Sequence, residues 1–424
     1  MIVTKQVAIW LLVATAFSLN TAGPNYELET EVLTNNKVNY YGVKALMGTG
    51  NEKSNDKVTL ETNIGYHDII LGDKNKAKWG INCSSAESNT CEVTDAKTDI
   101  LYYHSKQLTY SMAALHLRVD TRNNLNITDP VVDKIPAKLV NGGNSWNMKD
   151  WGVVGLSPQS TFSKYFSTAY GKGASLLFLY SLKDKTVENE DLVYNFRAFM
   201  NVQYNDTSVA KVLDIDKSNE YWSTTASMDF ISPAFSFKDT NVCFNTITDE
   251  IIQVIDVLDR CDAVKKLICD NKIGPDCTKD IAKFEKAPHL IIQFGDAKFE
   301  FLPEEYLYYR KDGVVDCRFG DAENLRVYDV CDPRTELGVG KLFFQKYIPV
   351  LKYNYGQNAQ LVLLNQFTPP YNPIIPPGSW LWIILGIVGG LVIIGAIVAF
   401  VMKKKSADDD AYYANYQNVQ EVRN

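Results

Sequence analysis

Two short stretches of the chain each join an apolar, strand-like run to a polar residue that could take part in a reaction. Residues 58–63 include Glu61, and residues 242–247, far along the chain, include Asn245. A carboxylate can take up or release a proton, whereas an amide only donates and accepts hydrogen bonds. If two similar lobes face each other, these strand ends meet, and the residues predict a site built from both halves of the chain.

The composition is that of a large packed protein. The 424 residues suffice for two lobes with cores of their own, and 46% of them are hydrophobic. Aromatic residues reach 12%, led by 24 tyrosines, which argues against disorder. A net charge of -7 gives no electrostatic reason to expect nucleic acid as a partner.

The first residues have the layout of a cleaved secretory signal. Lys5 precedes an apolar run at 7–14, and small residues follow at 21–23. We therefore expect a signal peptide at 1–23 and an ectodomain at 24–366.

The other end predicts a membrane anchor. Residues 380–402 carry no charge, and at 1.5 Å per residue they would reach roughly 34 Å, enough to cross a bilayer core. Three lysines follow at once, which marks 403–424 as a cytoplasmic tail. The proline-rich segment at 367–379 predicts a stiff linker. We expect a single-pass type I protein of the plasma membrane or of an endolysosomal or secretory membrane.

The predicted tail carries a short motif that resembles a tyrosine-based sorting signal, Tyr416 followed three positions later by Val419. An extended tyrosine motif can dock by adding to the edge of a sheet, so a sorting adaptor is a candidate partner. A solvated tail with a chance match is the alternative.

All eight cysteines fall within the predicted ectodomain, at positions 83, 91, 243, 261, 269, 277, 317 and 331. An even number in an oxidising compartment predicts disulfides; Cys83 and Cys91 are candidate partners, and the other pairings stay open. No two cysteines are separated by two residues and the four histidines are scattered, so we expect no metal. Three sequons, at Asn82, Asn126 and Asn205, are candidate glycosylation sites.

The hydrophobic pattern favours strands. Short runs rich in Val, Ile, Tyr and Thr alternate with Asn, Asp, Gly and Lys, as in a body built from hairpins. Charged and amide residues at 183–191 mark a connection. The sequence therefore predicts an all-β fold of two lobes, about 38–182 and 192–366, plus one transmembrane helix. Helical spacing is found at 161–170 and 251–269.

Together these features resemble a pepsin-like (family A1) aspartic peptidase, the two-lobed all-β fold, over roughly residues 38–366. In that family each lobe supplies a loop in which two hydrophobic residues precede Asp-Thr-Gly. The two stretches match it as Glu61-Thr62-Asn63 and Asn245-Thr246-Ile247. Further matches follow in the family's order, at residues 40–50, 83–91, 110–120, 150–156, 221–231, 288–294, 302–306 and 338–350.

The resemblance implies that Glu61 and Asn245 stand at the two catalytic positions. The family's reaction needs two carboxyl groups that share one proton, and an amide cannot ionise. Glu61 is also one methylene longer than aspartate, which would displace its carboxylate by roughly an ångström. We therefore expect a degenerate catalytic pair.

The resemblance also implies which residues line the cleft: Thr62, Asn63, Tyr110, Thr246 and Ile247. The two threonines match those whose hydroxyl groups tie the loops together in the family, and Tyr110 matches the tyrosine of its flap hairpin. Asn63 and Ile247 stand where the family has glycine. Because a β-branched residue tolerates the left-handed conformation poorly, we expect a rebuilt second loop.

The expected function is that of an inactive homologue, without a cofactor, that binds a peptide or protein in the cleft between the lobes. One alternative is an active membrane-anchored aspartic endopeptidase, in which Asp68, Asp249 or Asp256 supplies a displaced carboxylate. Asp249 is the best placed of the three in sequence. A second alternative is a structural surface glycoprotein with a closed cleft.

Overall fold

The computed structural model describes residues 26–35, 38–47, 56–72, 91–103, 106–119, 132–143, 151–170, 174–183, 192–230, 236–269, 281–327, 330–354 and 356–368. All of them lie in one compact unit of the chain, Met1–Pro369. Several predictions fall outside the described residues: the signal peptide, the span at 380–402, the tail with Tyr416 and Val419, and the sites at Asn82, Cys83 and Asn126.

The first lobe is built on an eight-stranded sheet in the order β2-β3-β4-β9-β5-β8-β7-β6, in which β3 also pairs with β7. Its strands are β2 (Thr30–Asn35), β3 (Val38–Met47), β4 (Asp56–Asn63), β5 (Ile69–Gly72), β6 (Cys91–Tyr103), β7 (Lys106–Val119), β8 (Val132–Gly143) and β9 (Trp151–Gly155).

The second lobe is built on a seven-stranded sheet in the order β17-β16-β13-β14-β21-β15-β20, with a separate hairpin of β18 and β19. Its strands are β13 (Ser223–Asp229), β14 (Phe237–Phe244), β15 (Ile252–Val254), β16 (Leu290–Phe294), β17 (Ala297–Phe301), β18 (Leu307–Tyr309), β19 (Val315–Cys317), β20 (Phe319–Asp321) and β21 (Leu337–Val339).

A third sheet of six strands, in the order β1-β11-β10-β22-β23-β12, takes strands from both halves of the chain. They are β1 (Tyr26–Glu27), β10 (Ser175–Leu182), β11 (Tyr194–Met200), β12 (Val209–Ile215), β22 (Ile348–Lys352) and β23 (Ala359–Leu364). Because β10 pairs with β22, the segment after the first lobe and the end of the second lobe share one sheet. Three sheets in this arrangement confirm the predicted all-β, two-lobed class.

Helices are few and short, as predicted: α1 (Thr161–Tyr170), α2 (Val257–Ile268), α3 (Pro303–Tyr306), α4 (Glu323–Val327) and α5 (Lys341–Lys346), with 3-10 turns at Asp206–Ser208 and Ile281–Lys286. The bounds of α1 match the predicted 161–170. The predicted helix at 251–269 begins later, because residues 252–254 form β15 and the helix starts only at Val257.

Burial in the strands follows the two-residue period of an extended chain. In β16, Leu290, Ile292 and Phe294 are buried and the residues between them are half-exposed. The second lobe's core is rich in aromatic contacts, with Phe343 lying against the rings of Phe294 and Phe299. No helix of the described residues is long and apolar enough to cross a membrane.

Candidate functional site

The two predicted stretches end equivalent strands in the two lobes. In the first lobe, four neighbouring strands run in the order β4, β9, β5 and β8. In the second lobe the order β14, β21, β15 and β20 repeats it. The pairings repeat as well: the first pair is parallel, the second antiparallel and the third parallel in both lobes. The loop that follows β4 therefore corresponds to the loop that follows β14.

The strand register identifies which residues correspond. Asn63 lies opposite Gly155 in the parallel pair of β4 and β9. Phe244 lies opposite Val339 in the parallel pair of β14 and β21, so Asn245 follows at the level of Gly340. Asn63, not Glu61, is thus the counterpart of Asn245. The register differs by two residues from the alignment that the sequence motifs suggest.

The hydrogen bonds of the two asparagines agree with this register. The Oδ1 atom of Asn63 accepts from the Gly65 amide at 3.0 Å, and that of Asn245 accepts from the Ile247 amide at 3.2 Å. In the shifted register Gly65 stands two residues after Asn63, where the family signature has glycine. A Cβ atom at Gly65 would lie 2.5 Å from the carbonyl oxygen of Val330, so only glycine fits there.

Asn245 is held by a closed network within the second lobe. Its Oδ1 atom also accepts from the amide and the hydroxyl of Thr248, at 3.0 and 2.9 Å. Its Nδ2 atom donates to Gln253 Oε1 at 3.0 Å and to the Val339 carbonyl at 3.2 Å. Because backbone N–H groups face one end of the side chain and carbonyl oxygens face the other, this position suits an amide and not a carboxylate.

Asn63 is linked to Glu61 through a tyrosine. Its Nδ2 atom donates to the Tyr103 hydroxyl at 3.3 Å, and that hydroxyl donates to Glu61 Oε1 at 3.0 Å. All three side chains are buried, Glu61 being 3% exposed. Burial, followed by the charge of Glu61, raises the pKa of Tyr103 well above its usual range, so the phenol stays protonated and acts as the donor.

One threonine joins the two loops. The hydroxyl of Thr246 donates to the Thr62 carbonyl at 3.2 Å and accepts from the Ile64 amide at 3.3 Å. The hydroxyl of Thr62 instead donates to the Tyr41 carbonyl within its own lobe, at 2.9 Å. The register makes Ile64 the counterpart of Thr246, and isoleucine has no hydroxyl. The expectation that Thr62 and Thr246 both tie the loops together thus holds for Thr246 alone.

Ile247 does not strain its loop. Neither Ile247 nor Asn63 has a positive φ angle, so no left-handed residue is needed at either position. Ile247 is half-buried and packs against a small cluster that contains Cys243, Val330 and Cys331. The backbone of the second loop therefore accommodates the β-branched side chain, which packs against this cluster.

Tyr110 lies away from the strand ends. It stands within β7, where it pairs with Asp99 of β6 and Val140 of β8, and Lys138 lies 5.0 Å above its ring. The tyrosine that contacts the first loop is Tyr103, at the end of β6, where the hairpin turns back into β7. Sequence reasoning missed Tyr103.

Of the three aspartates weighed as replacement carboxylates, two form ion pairs with lysines and the third stands at the start of a helix. Asp68 pairs with Lys138 at 2.6 Å, and Asp249 pairs with the buried Lys341 at 3.0 Å. Asp256 precedes α2 in a left-handed conformation. Burial raises the pKa of Glu250, the residue that follows Asp249, above its ordinary value.

Two disulfides of the second lobe have both of their cysteines among the described residues, Cys243–Cys331 and Cys261–Cys317. Cys269 is disulfide-bonded as well. One group of metal-ligand atoms in the described part of the chain, from Cys261, Asp316 and Cys317, is close enough together for a metal site, but both of its sulfur atoms belong to the Cys261–Cys317 disulfide. Cys91 is disulfide-bonded, while its predicted partner lies outside the described residues.

Of the three candidate glycosylation sites, Asn205 is described. It is exposed and accepts a hydrogen bond from the Thr207 amide, so its side chain stands at the protein surface.

The comparisons with known proteins concern the fold. No protein-family model and no curated protein matches the sequence. Among solved structures, the chain is similar to the aspartic proteinase from Irpex lacteus, with a TM-score of 0.54 and 13% identity, over 81% of this chain and 99% of that chain. The protein therefore has a mostly β, two-lobed fold similar to that of the pepsin-like aspartic proteinases.

Proposed function

We propose that the ectodomain is a catalytically inactive pepsin-like body that binds a peptide or protein between its lobes without cleaving it. One observation carries the proposal: the two equivalent loop positions hold amides, Asn63 and Asn245. Aspartic peptidases use two carboxyl groups that share a proton, one to activate water and one to protonate the carbonyl oxygen of the substrate. An amide can do neither, because it neither takes up nor releases a proton at the pH values at which these enzymes work.

The surroundings of Asn245 support the same conclusion. Its two side-chain atoms make five hydrogen bonds, all within the second lobe. Replacing the amide by a carboxylate would turn two donated bonds into contacts between acceptors. The loop is thus built around the amide, and its network leaves Asn245 no donor with which to polarise a peptide carbonyl.

Glu61 supports the alternative of an active endopeptidase only weakly. It is the carboxylate nearest to the first loop in sequence, but it accepts from Tyr103 and is almost fully buried. General acid–base catalysis requires the proton-transferring group within hydrogen-bond reach of the substrate. A carboxylate in this position stabilises the Tyr103 hydroxyl instead.

The alternative of a structural glycoprotein is favoured by a separate observation. Asn63 and Asn245 are both 0% exposed, so the amides do not face an open cleft. Under this proposal the cleft is closed and the ectodomain acts through its outer surface, with Asn205 as a glycan carrier. In either case we propose that the segment at 380–402 anchors the ectodomain in a membrane and that Tyr416 and Val419 engage a sorting adaptor.

The test uses the purified full-length chain. It is incubated with a denatured protein between about pH 3 and 7, the range in which carboxylate dyads work, and the products are examined by mass spectrometry. We expect no cleavage, and no binding of a transition-state mimic that carries a hydroxyl group in place of the scissile amide. Cleavage at acidic pH that is lost in Glu61→Gln would overturn the proposal.

A library of extended peptides separates binding from a structural role. Selective capture of a sequence class, competed by the same free peptide, supports the binding function. Absence of any capture favours the structural alternative.

A further inference from the structure

The residue two positions before each amide contacts a segment that lies beside the loops. Glu61 precedes Asn63 by two positions, and Cys243 precedes Asn245 by two positions. Along an extended chain, residues two apart point to the same face. Glu61 and Cys243 are therefore equivalent positions in the two lobes, each on the same side of its strand as the amide that follows.

In the first lobe this residue holds the end of a hairpin. Glu61 Oε1 accepts the hydrogen of the Tyr103 hydroxyl at 3.0 Å. The same hydroxyl accepts from Asn63, and the Tyr103 ring lies 5.0 Å from the Tyr66 ring, measured between centroids. Tyr103 is 1% exposed although it borders the turn of the β6–β7 hairpin. A phenol at that position is buried because the carboxylate and the amide both bind it.

In the second lobe this residue holds a segment against the opposite lobe. Cys243 is joined to Cys331 by a disulfide, and the adjacent Val330 is fully buried. Val330 lies so close to Gly65 of the first lobe that an added Cβ atom there would sit 2.6 Å from the Val330 Cβ. The Gly65 amide is the group that donates to Asn63. The disulfide thus fixes a segment of one lobe beside the loop of the other.

We infer that Glu61 and Cys243 are positioning residues that hold two covering residues, Tyr103 and Val330, against the first loop and so close Asn63 off from the space between the lobes. The inference rests on the proposed non-catalytic function, because a peptidase needs both catalytic groups open to its substrate. A peptide bound between the lobes would lie on Tyr103 and on the segment at Val330. The amides would then stabilise the loops and would not contact the peptide.

Hydrogen exchange measured by mass spectrometry on the full-length chain, without any ligand, tests this inference. The readout is the exchange of the amides at 63–66. The variant pair Cys243→Ala with Cys331→Ala is compared with Cys261→Ala with Cys317→Ala, which removes the other described disulfide of the same lobe. We expect about a tenfold faster exchange at 63–66 in the first pair and no change there in the second.

The hydrogen-bonded cover is tested by a second set of variants that leaves both disulfides in place. Glu61→Leu removes the acceptor of the Tyr103 hydroxyl, while Glu61→Gln keeps an acceptor of the same size. We expect faster exchange at 63–66 in Glu61→Leu and wild-type exchange in Glu61→Gln. This set decides the question if the cysteine variants do not fold.

Equal exchange at 63–66 in both cysteine pairs, or in both Glu61 variants, would overturn the inference. Since no substrate or peptide takes part, this outcome is independent of the cleavage test. A chain with open loops could still be inactive, and a chain with closed loops could still fail to bind peptide.

Discussion

The substitution Thr246→Val tests whether a single hydroxyl group links the two loops. This hydroxyl donates to the Thr62 carbonyl and accepts from the Ile64 amide, at 3.2 and 3.3 Å. Valine has a similar shape but no hydroxyl. Both backbone groups of the first loop therefore lose a partner while the packing around position 246 is kept.

The size of the effect follows from the cost of leaving buried polar groups without a partner. Each such group costs about 1–3 kcal/mol, and the two long hydrogen bonds here place the total near the lower end, at about 2–3 kcal/mol. In a unit the size of Met1–Pro369, an unfolding entropy of about 2.1 cal/mol/K per residue converts this into a Tm lower by roughly 3–4 °C.

Differential scanning calorimetry of the full-length chain measures this shift, with two control variants. Thr246→Ser keeps the hydroxyl and should stay within about 1 °C of the wild type. Thr62→Val removes one hydrogen bond, to the Tyr41 carbonyl inside the first lobe, and should cost about half as much as Thr246→Val. If Thr246→Val shifts Tm no more than Thr246→Ser does, the Thr246 hydroxyl does not stabilise the contact between the loops.

Three further predictions concern the charges and amides of the second loop. Asp249→Asn leaves the ammonium of Lys341, whose side chain is 2% exposed, without its carboxylate partner, and should lower the free energy of unfolding by about 2–4 kcal/mol. The double variant Asp249→Asn with Lys341→Met should recover most of this loss in thermal unfolding. A loss under about 0.5 kcal/mol in the single variant would contradict the prediction. Burial raises the pKa of Glu250 above its ordinary 4.5, so its stabilising contribution is present below pH 4.5 and declines as the pH rises through the higher folded-state pKa. Glu250→Gln should therefore raise Tm at pH 7 relative to the wild type and leave it unchanged at about pH 3; equal effects at both pH values would exclude this cause. Asn245→Asp places a carboxylate against the Gln253 and Val339 oxygens and should lower the free energy of unfolding by about 2–3 kcal/mol at pH 7. The loss should be smaller at about pH 3, where the carboxyl is protonated. An equal loss at both pH values would argue against repulsion between the acceptor oxygens.

The fold class could be predicted from the sequence because it depends on local pattern. Alternating burial in strands such as β16 and the helical spacing of apolar residues in α1 are properties of a few neighbouring residues. The order of weak matches along the chain then indicated two lobes, although no single motif was complete. The fold similarity to an aspartic proteinase agrees with that order.

The register of the first loop could not be predicted in the same way. The alignment relied on a threonine directly after the catalytic position, and Thr62 supplied one. In the structure the corresponding residue is Ile64, and the glycine that seemed to be missing is Gly65. The spacing of Asn63 and Gly65, two residues apart, is the signal that would have given the correct register.

The hairpin tyrosine was misplaced for a different reason. The pairing of β6 with β7 contains register shifts between Val93 and Asp95 and between Asp95 and Asp99. Such bulges add residues to one strand without changing its hydrophobic character, so the position of the turn is not visible in the sequence. Tyr110 matched the family motif, whereas the turn lies beside Tyr103.

The two loops differ from the Asp-Thr-Gly signature of pepsin-like peptidases at different positions, and the difference bears on how two amides can occupy the equivalent sites. The first loop has Gly65 but lacks the hydroxyl at Ile64, while the second has the hydroxyl of Thr246 but lacks the glycine at Ile247. A carboxylate pair that shares a proton must be held at one separation, because two like charges at close range repel strongly. Two neutral amides do not repel in this way, so one link between the loops suffices. Isoleucine at position 64 and amides at positions 63 and 245 are thus physically compatible, whereas carboxyl groups at both amide positions would place a repelling pair on a support with one link.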